Sequence, residues 1–403
     1  MHDQRTHKLI NGYFILIWIY AFFLQIGQNI FNNSVSLYMD SIGLGTDFAG
    51  LLAIPYAILA IVARLIGGWL TDHRGRRVTM LLGAAIFAVS AFLFTRPVLA
   101  LPVCLLLLRG LHGFAYGTGN TAASTAVVDV TPPQQSGLGL GIYWAAQGVA
   151  LAIGGLLVTG LMRGTDDFSL VFFTSVAVLV IAMALALLCN YEKKPDWAAT
   201  DRDAPAGDTQ RGIARFIEKR SIPYAVFFTV FFVGNACMAP YILMFAAERG
   251  IAGAGLVFTM AAVGMTLANL TCGKLAQLTH RPALVIAVVY VCFGLAVIAM
   301  ALISGTVTYV IAGFFYGASM GMAPLVQDEA VRGLPVLRRG AGTSTLYLAI
   351  DIGVGIGTAV WGKVVAASGF TAMYIAAGVV SLVAAVMAVV TFARRDKAAA
   401  GGK

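Results

Sequence analysis

Arg109, His112, Tyr116 and Asn120 recur at spacings of three and four, so on a helix they share one face. They bring together a fixed cation, an imidazole that titrates near neutrality, a phenol and an amide. A second stripe, Gln25, Gln28, Asn29, Asn32 and Asn33, puts five amides into nine residues. As interhelical glue each such contact is worth only ~0.6 kcal/mol. So many amides in one stripe suit the wall of a water-filled cavity that takes a polar ligand. Asn235 and Tyr316 are candidate contacts from the far half of the chain, with Met238, Met320 and Gln327 weaker. Asp351 stands in an apolar run, one turn after Tyr347 and one turn before Gly355. A carboxylate there must pair, protonate or face water. It is either a carrier of protons or half of a static ion pair. Arg109 is likewise either a ligand-binding cation or an Arg that fixes packing through carbonyls; insertion into a membrane costs roughly 2.5–3.5 kcal/mol. For His112 both readings stay open.

The elements that must position these residues follow from composition. The chain has 403 residues, 59% hydrophobic and only 11% charged, with mean hydropathy +0.85. A soluble domain is about one quarter charged, so a soluble enzyme, a disordered protein and a fibre are excluded. The apolar runs are continuous and far exceed the ~10-residue alternating strands of an outer-membrane barrel. At about 20 residues per span the chain holds about twelve transmembrane helices. Expected spans are 11–38, 46–71, 78–96, 99–128, 136–161, 168–190, 222–246, 253–277, 283–303, 307–330, 340–362 and 370–393. The polar start, Met1 to Asn11, precedes an apolar run longer than a signal-peptide core, so the first span is expected in the mature protein.

The fold class expected is therefore an all-α membrane protein with twelve spans. The domains expected are an N-terminal six-helix bundle at 1–190, a hydrophilic linker at 191–221 and a C-terminal six-helix bundle at 222–403. The linker holds seven Lys and Arg residues and is too short and polar to build a core; Arg211–Arg220 reads as an amphipathic helix. With both termini inside, twenty of the 27 Lys and Arg residues fall on the cytoplasmic side and four outside. That bias predicts an N-in, C-in topology. It also accounts for the net charge of +9 without a nucleic-acid partner. Cys104, Cys189, Cys237, Cys272 and Cys292 lie in apolar runs without ligand spacing, so neither a metal nor a disulfide is expected.

The two halves repeat. Gly68 and Leu70 match Gly273 and Leu275 at an offset of 205, Gly113 and Gly117 match Gly317 and Gly321 at 204, and Gly139 and Gly154 match Gly342 and Gly357 at 203. Repeated halves with a binding site between them are the plan of many secondary transporters.

The strongest local motif is Gly68-Trp-Leu-Thr-Asp72-His-Arg-Gly75-Arg76-Arg77, between the second and third spans. It resembles the signature loop of the major facilitator superfamily, G-x-L-a-D-R-x-G-R-R/K. The match holds at Gly68, Leu70, Asp72, Gly75, Arg76 and Arg77 and departs at His73, where the family usually has Arg. Its glycines permit a tight turn and close helix approach. Asp72 can pair with nearby arginines and with the positive N-terminus of a facing helix. Such a latch would hold in one conformation and break in the next. A second stretch, Arg109-Gly-Leu-His112-Gly113, resembles the family's fourth-helix pattern R-x-x-q-G, with His112 in the place of Gln. The fifth span, 136–161, has Gly154 followed by Gly155 and lacks the Gly-Pro of the family's proton antiporters; its glycines are expected to pack against the eighth span.

The resemblance covers nearly the whole chain and is closest to bacterial drug and metabolite efflux permeases. It implies a multi-pass protein of the bacterial inner membrane, acting as a monomer by alternating access. Its partners would be a small-molecule substrate, protons and the lipid bilayer, without cofactor or enzymatic activity. The cavity would be walled by the first, fourth, seventh and tenth helices. Uptake of a small metabolite is the alternative, and a non-transporting receptor a distant third. Arg109 and His112, with no acid in the first or fourth span, favour an anionic or zwitterionic substrate over a cationic one. Proton coupling is expected at Asp351 and Arg109. Arg64, eight residues before Asp72, lies about 12 Å into the second span and Asp351 about 16 Å into the eleventh. Similar depths make Arg64 a candidate partner of Asp351 and a member of the latch.

Overall fold

The computed structural model describes residues 9–44, 48, 51–96, 101–162, 167–193, 216–251 and 256–401. Among them every regular element is helical. In chain order the α-helices are α1 (Gly12–Ser41), α2 (Ala53–Arg74), α3 (Arg76–Leu93), α4 (Pro102–Val130), α5 (Ser136–Leu161), α6 (Ser169–Leu188), α7 (Ile222–Asn235), α8 (Met238–Glu248), α9 (Leu256–Thr279), α10 (Pro282–Leu302), α11 (Thr306–Met320), α12 (Ala323–Val331) and α13 (Arg339–Gly401), with short 3-10 turns at Tyr191–Lys193, Lys219–Ser221 and Val336–Arg338. Nine segments of the described residues are long and apolar enough to cross a membrane. Helices satisfy every backbone donor internally, as a hydrocarbon environment requires. The expected linker lies outside the described residues over 194–215.

Proline and glycine decide where the expected spans break. The seventh is split into α7 and α8 at Ala236-Cys237, and the tenth into α11 and α12 at Gly321-Met322. In both, the break falls at or just after the residue four before a proline, Pro240 and Pro324. A proline ring clashes with that residue's carbonyl and removes a helix hydrogen bond. The expected eleventh and twelfth spans run together as α13, interrupted only at Gly369 (φ 78°). Between α2 and α3 the turn is a single residue, Gly75, at φ 94°. Only glycine takes that conformation without strain. Thr131, before Pro132, is extended and ends α4.

The chain forms two compact units. Unit 1 comprises Met1–Pro133, Ala146–Lys219 and Val331–Thr345; unit 2 comprises Gln134–Ala145, Arg220–Ala330 and Leu346–Lys403. Each unit thus includes a short piece of sequence from the other half: the first turns of α5 belong to unit 2, and the first turns of α13 to unit 1.

In unit 1, α4 is the hub, packed by α1, α2 and α3. Close approach rests on small residues, because lipid offers no hydrophobic drive between helices and dispersion must come from contact. A Cβ on Gly113 would strike the backbone of Tyr56, one on Gly117 would meet Ala63 at 2.9 Å, and one on Gly83 would meet Gly119 at 2.6 Å. Around them Phe31, Phe87, Phe94 and Phe172 form an aromatic cluster, with Phe31 and Phe94 4.8 Å apart edge to face.

In unit 2, α11 plays the corresponding part against α9. Gly317 abuts Ala261, and Gly321 lies 2.6 Å in Cβ terms from Ala268. Ala261 and Ala268 stand 205 positions after Tyr56 and Ala63, and Gly317 and Gly321 stand 204 after Gly113 and Gly117. The internal repeat is therefore a repeat of contacts. The unit 2 core is aromatic, with Phe231 stacked on Tyr290 at 3.9 Å and Phe228 and Phe232 edge to face.

The α5 glycines require a correction. Gly141, in the unit 2 part, does abut Asn269 of α9, the expected eighth span. Gly154 does not: it lies against Asn29 and Ile30 of α1. The helix changes unit along its length, so its small residues serve different neighbours.

Candidate functional site

Arg109 and His112 lie one turn apart on α4, Gln25, Gln28, Asn29 and Asn32 on α1, and Tyr56 on α2, all within unit 1. Arg109 Nη2 donates to Asn32 Oδ1 and Nη1 to His112 Nδ1, both at 2.7 Å. The guanidinium lies over the Tyr56 ring at 4.5 Å and the Phe31 ring at 5.5 Å. A guanidinium only donates. The His112 nitrogen facing it is therefore an unprotonated acceptor, and the imidazole is neutral with its proton on Nε2. That proton goes to Gln28 Oε1 at 2.5 Å, and Gln28 Nε2 donates to the Tyr56 hydroxyl at 2.7 Å. The circuit closes through the Tyr56 ring beneath Arg109. His112 is fully buried; it stacks on Phe87 at 4.1 Å and meets Phe31 and Tyr56 edge-on. One turn along, the Tyr116 hydroxyl donates to Gln25 Oε1 at 2.6 Å.

Among the described residues Arg109 has no carboxylate partner, although only 9% of it is exposed. Its Nε–H makes no hydrogen bond, and neither does the Asn29 side-chain amide nitrogen. A buried cation held only by neutral acceptors retains the ability to take an anion.

The α2–α3 turn forms a second constellation in unit 1. Gly340 N–H and Ala341 N–H, in the first turn of α13, donate to Asp72 Oδ1 and Oδ2, each at 2.8 Å. A Cβ on Gly68 would collide with Ser344 and the Gly340 carbonyl, so only glycine admits α13 here. Arg76 is wholly buried. Its Nε pairs with Asp129 Oδ2 at 2.8 Å, its Nη1 lies 3.7 Å from Asp72 Oδ1, and its Nη2 donates to the Val336 carbonyl at 2.5 Å. Arg339 Nη1 takes the other Asp129 oxygen at 2.8 Å. Tyr191 donates to Asp129 Oδ2 at 3.2 Å. Burial pushes its phenol well above its ordinary pKa, with the Asp129 charge adding to the effect, so it is a neutral donor. Glu192 accepts from Arg76 N–H at 2.7 Å and Arg77 N–H at 3.1 Å, capping α3. Arg77 Nη2 donates to the Leu187 carbonyl at 2.6 Å.

The sequence model of the Major Facilitator Superfamily matches residues 17–330 and 224–403. The chain belongs to the major facilitator superfamily. An uncharacterized MFS-type transporter of Mycobacterium tuberculosis is 29% identical over 40% of this chain; the match spans 36% of that relative's length. An uncharacterized MFS-type transporter of Methanocaldococcus jannaschii is 20% identical over 94% of this chain and 98% of its own. The quinolone resistance protein NorA of Staphylococcus aureus is 21% identical over 46% of this chain and 47% of its own. Among solved structures, the E. coli fucose:proton symporter superposes with a TM-score of 0.75 at 17% identity, covering 94% of this chain and 99% of that one. The human organic anion transporter MFSD10 superposes with a TM-score of 0.74 at 12% identity, covering 94% and 100%. The fold is that of these transporters, and the chain spans about a third of the length of the mycobacterial relatives it matches.

Within this member of the superfamily, Gln25, Gln28, Asn32, Arg109, His112 and Tyr116 come together in unit 1. Asn29 is buried on α1 beside Gly154, and Asn120 is buried further along α4. Asn235 and Tyr316 lie in unit 2, where Asn235 Nδ2 donates to Ser319 Oγ at 3.4 Å and Tyr316 packs on Phe293. Arg64 donates from Nη1 to the Gly117 carbonyl at 3.3 Å and Thr121 Oγ1 at 3.4 Å. Asp351 is half-buried on α13. Asp129, Asp328 and Glu329 sit near helix ends, yet all three side chains are buried or nearly so. Asp328 accepts from Ser136 Oγ at the start of α5. Sequence reasoning missed Tyr56, Asp129, Glu192 and Arg339. Tyr56 stands alone in an apolar run, and the other three read as ordinary charges at helix ends. The one available signal was the surplus of cations around Asp72, which called for a second acid.

Proposed function

We propose that the chain is a secondary active transporter that moves a small polar, anionic or zwitterionic organic molecule across the bacterial inner membrane by alternating access, in proton-coupled efflux. In this reading twelve spans form two pseudo-symmetric six-helix bundles, 1–190 and 222–403, with both termini and the 191–221 linker in the cytoplasm, and the monomer is the working unit. The observation that carries the substrate charge is Arg109: a buried guanidinium held by Asn32 and His112, with an unbonded Nε–H and no carboxylate partner among the described residues. Gln25, Gln28, Asn29, Asn32, Tyr116 and Asn120, with Asn235 and Tyr316, would supply polar contacts. Asp351 would carry the coupling proton with Arg109 setting the local charge. Gly68, Asp72, Gly75, Arg76, Arg77 and Arg64 would form the latch that the conformational change releases.

Likeness to a quinolone resistance protein supports efflux, and the fold shared with a fucose:proton symporter supports proton coupling and keeps uptake as the second reading. The test is reconstitution into proteoliposomes under an imposed pH gradient, with a panel of small carboxylates, zwitterions, cations and neutral solutes. Gradient-driven movement of anions or zwitterions, reduced by Arg109→Lys, is expected. Movement of cations alone would overturn the substrate assignment.

A further inference from the structure

His112 is fully buried, yet its ring is fully hydrogen-bonded: Nδ1 accepts from Arg109 at 2.7 Å and Nε2 donates to Gln28 at 2.5 Å. The groups facing it come from four helices: Gln28 and Phe31 of α1, Tyr56 of α2, Phe87 of α3 and Arg109 of its own helix. Among them Arg109 is the one charge and Tyr56 the one other titratable group. No carboxylate faces the imidazole among the described residues, so nothing there holds a second proton on it. The single lone pair able to take that proton is occupied by Arg109 Nη1.

Arg109 has five N–H donors; one on Nη1 goes to His112, one on Nη2 goes to Asn32, and Nε–H is unbonded. A carboxylate can therefore be gripped before the bond to His112 breaks. A proton landing on Nδ1 must displace the Nη1–H from His112. A carboxylate on the guanidinium gives that displaced donor a new acceptor, so the anion lowers the cost of the proton and the proton adds a donor for the anion. Once both are bound, the carboxylate also lies between two cations and attracts each of them. Coupling of this kind is reciprocal: the anion favours the proton by the factor by which the proton favours the anion.

We infer that His112 is a proton-binding residue whose protonation is coupled to anion binding at Arg109 through the hydrogen bond the two residues share. The inference rests on the anionic reading of the site and adds to it a proton carried beside the substrate, distinct from one on Asp351. The proton arrives from water, forms an N–H bond at Nδ1 and leaves Arg109 cationic throughout. A neutral solute, which brings no negative charge between the two cations, would bind without taking up a proton.

The test uses the full-length protein in lipid nanodiscs with nitrogen-15-labelled histidine. His112 is one of five histidines, and its signals are those lost in His112→Gln. Without ligand, its shifts should report the neutral Nε2–H form across roughly pH 5–8, where an ordinary imidazole titrates. Small monocarboxylates, benzoate, lactate and acetate, are then added as probes. The expected result is imidazolium shifts at His112 and uptake of about one proton per bound anion from weakly buffered solution. His112→Gln keeps an acceptor for Arg109, so it should still bind the probe, more weakly, but take up no proton. Binding with no change at His112, or equal proton uptake in His112→Gln, overturns this inference and leaves the anionic reading intact. Failure of every probe to bind overturns the anionic reading, and this inference with it.

Discussion

The carboxylate of Asp72 receives the backbone N–H of Gly340 across 268 positions of sequence, at 2.8 Å, while its second oxygen receives Ala341. An acid at the end of α2 thus neutralises the open N–H groups and the positive end of α13. In Asp72→Asn one oxygen becomes an NH2 that faces a donor. The variant should insert and express nearly as the parent, lose about 1–3 kcal/mol of stability and transport more slowly. Thermal unfolding and proteoliposome flux check this; parental values in both would remove the role of Asp72.

Asp129 binds two cations, Arg76 and Arg339, each at 2.8 Å. Asp129→Asn removes the 2.8 Å pair of the buried Arg76 and leaves Asp72 at 3.7 Å. Removing one partner of a buried pair costs about 3–5 kcal/mol. Arg76→Gln should be similarly damaging, and the double variant less damaging than the sum of the two. A double-mutant cycle on thermal stability decides it, since additive losses would mean that the pair is not coupled.

Arg109→Lys keeps the charge but replaces the planar fork by a point donor. It cannot reach Asn32, His112 and an anion together with the same geometry. Affinity for an anionic substrate should fall about tenfold, or about 1.4 kcal/mol, with little change in unfolding temperature. Preserved affinity with lowered stability would make Arg109 a packing residue instead.

Gly113→Ala drives a methyl into the Tyr56 backbone, and Gly317→Ala drives one into Ala261. Each should cost about 1–3 kcal/mol, the usual penalty for overpacking. Gly160→Ala, with nothing within 4 Å of the added Cβ, should be neutral or stabilising. Equal melting temperatures for all three would show that the glycine contacts do not set helix spacing.

Much of the architecture was legible in the sequence because it depends on local quantities. Continuous apolar runs predict helices, since a chain in hydrocarbon must satisfy its donors within each segment. The glycine offset of 204–205 predicted a repeat, and the same glycines make repeated contacts. The pairing of Asp72 with a facing helix N-terminus was also readable, because a lone acid at a glycine-rich turn has few partners in a membrane protein.

What the sequence by itself determined is the inventory: which stretches are helical and which polar side chains share a face. Periodicity fixes the direction of a side chain around its own helix but says nothing of the neighbour it meets. Tyr56 illustrates the difference. On α2 it is one aromatic among apolar residues, and only packing of α2 on α4 puts its ring 4.5 Å from Arg109. Tertiary structure likewise decided that Gly154 faces α1, that Asp129 serves two arginines, and that His112 accepts from Arg109 and is neutral. The last follows from hydrogen-bond direction: a guanidinium has nothing to accept with, so contact with it assigns the imidazole proton to the opposite nitrogen.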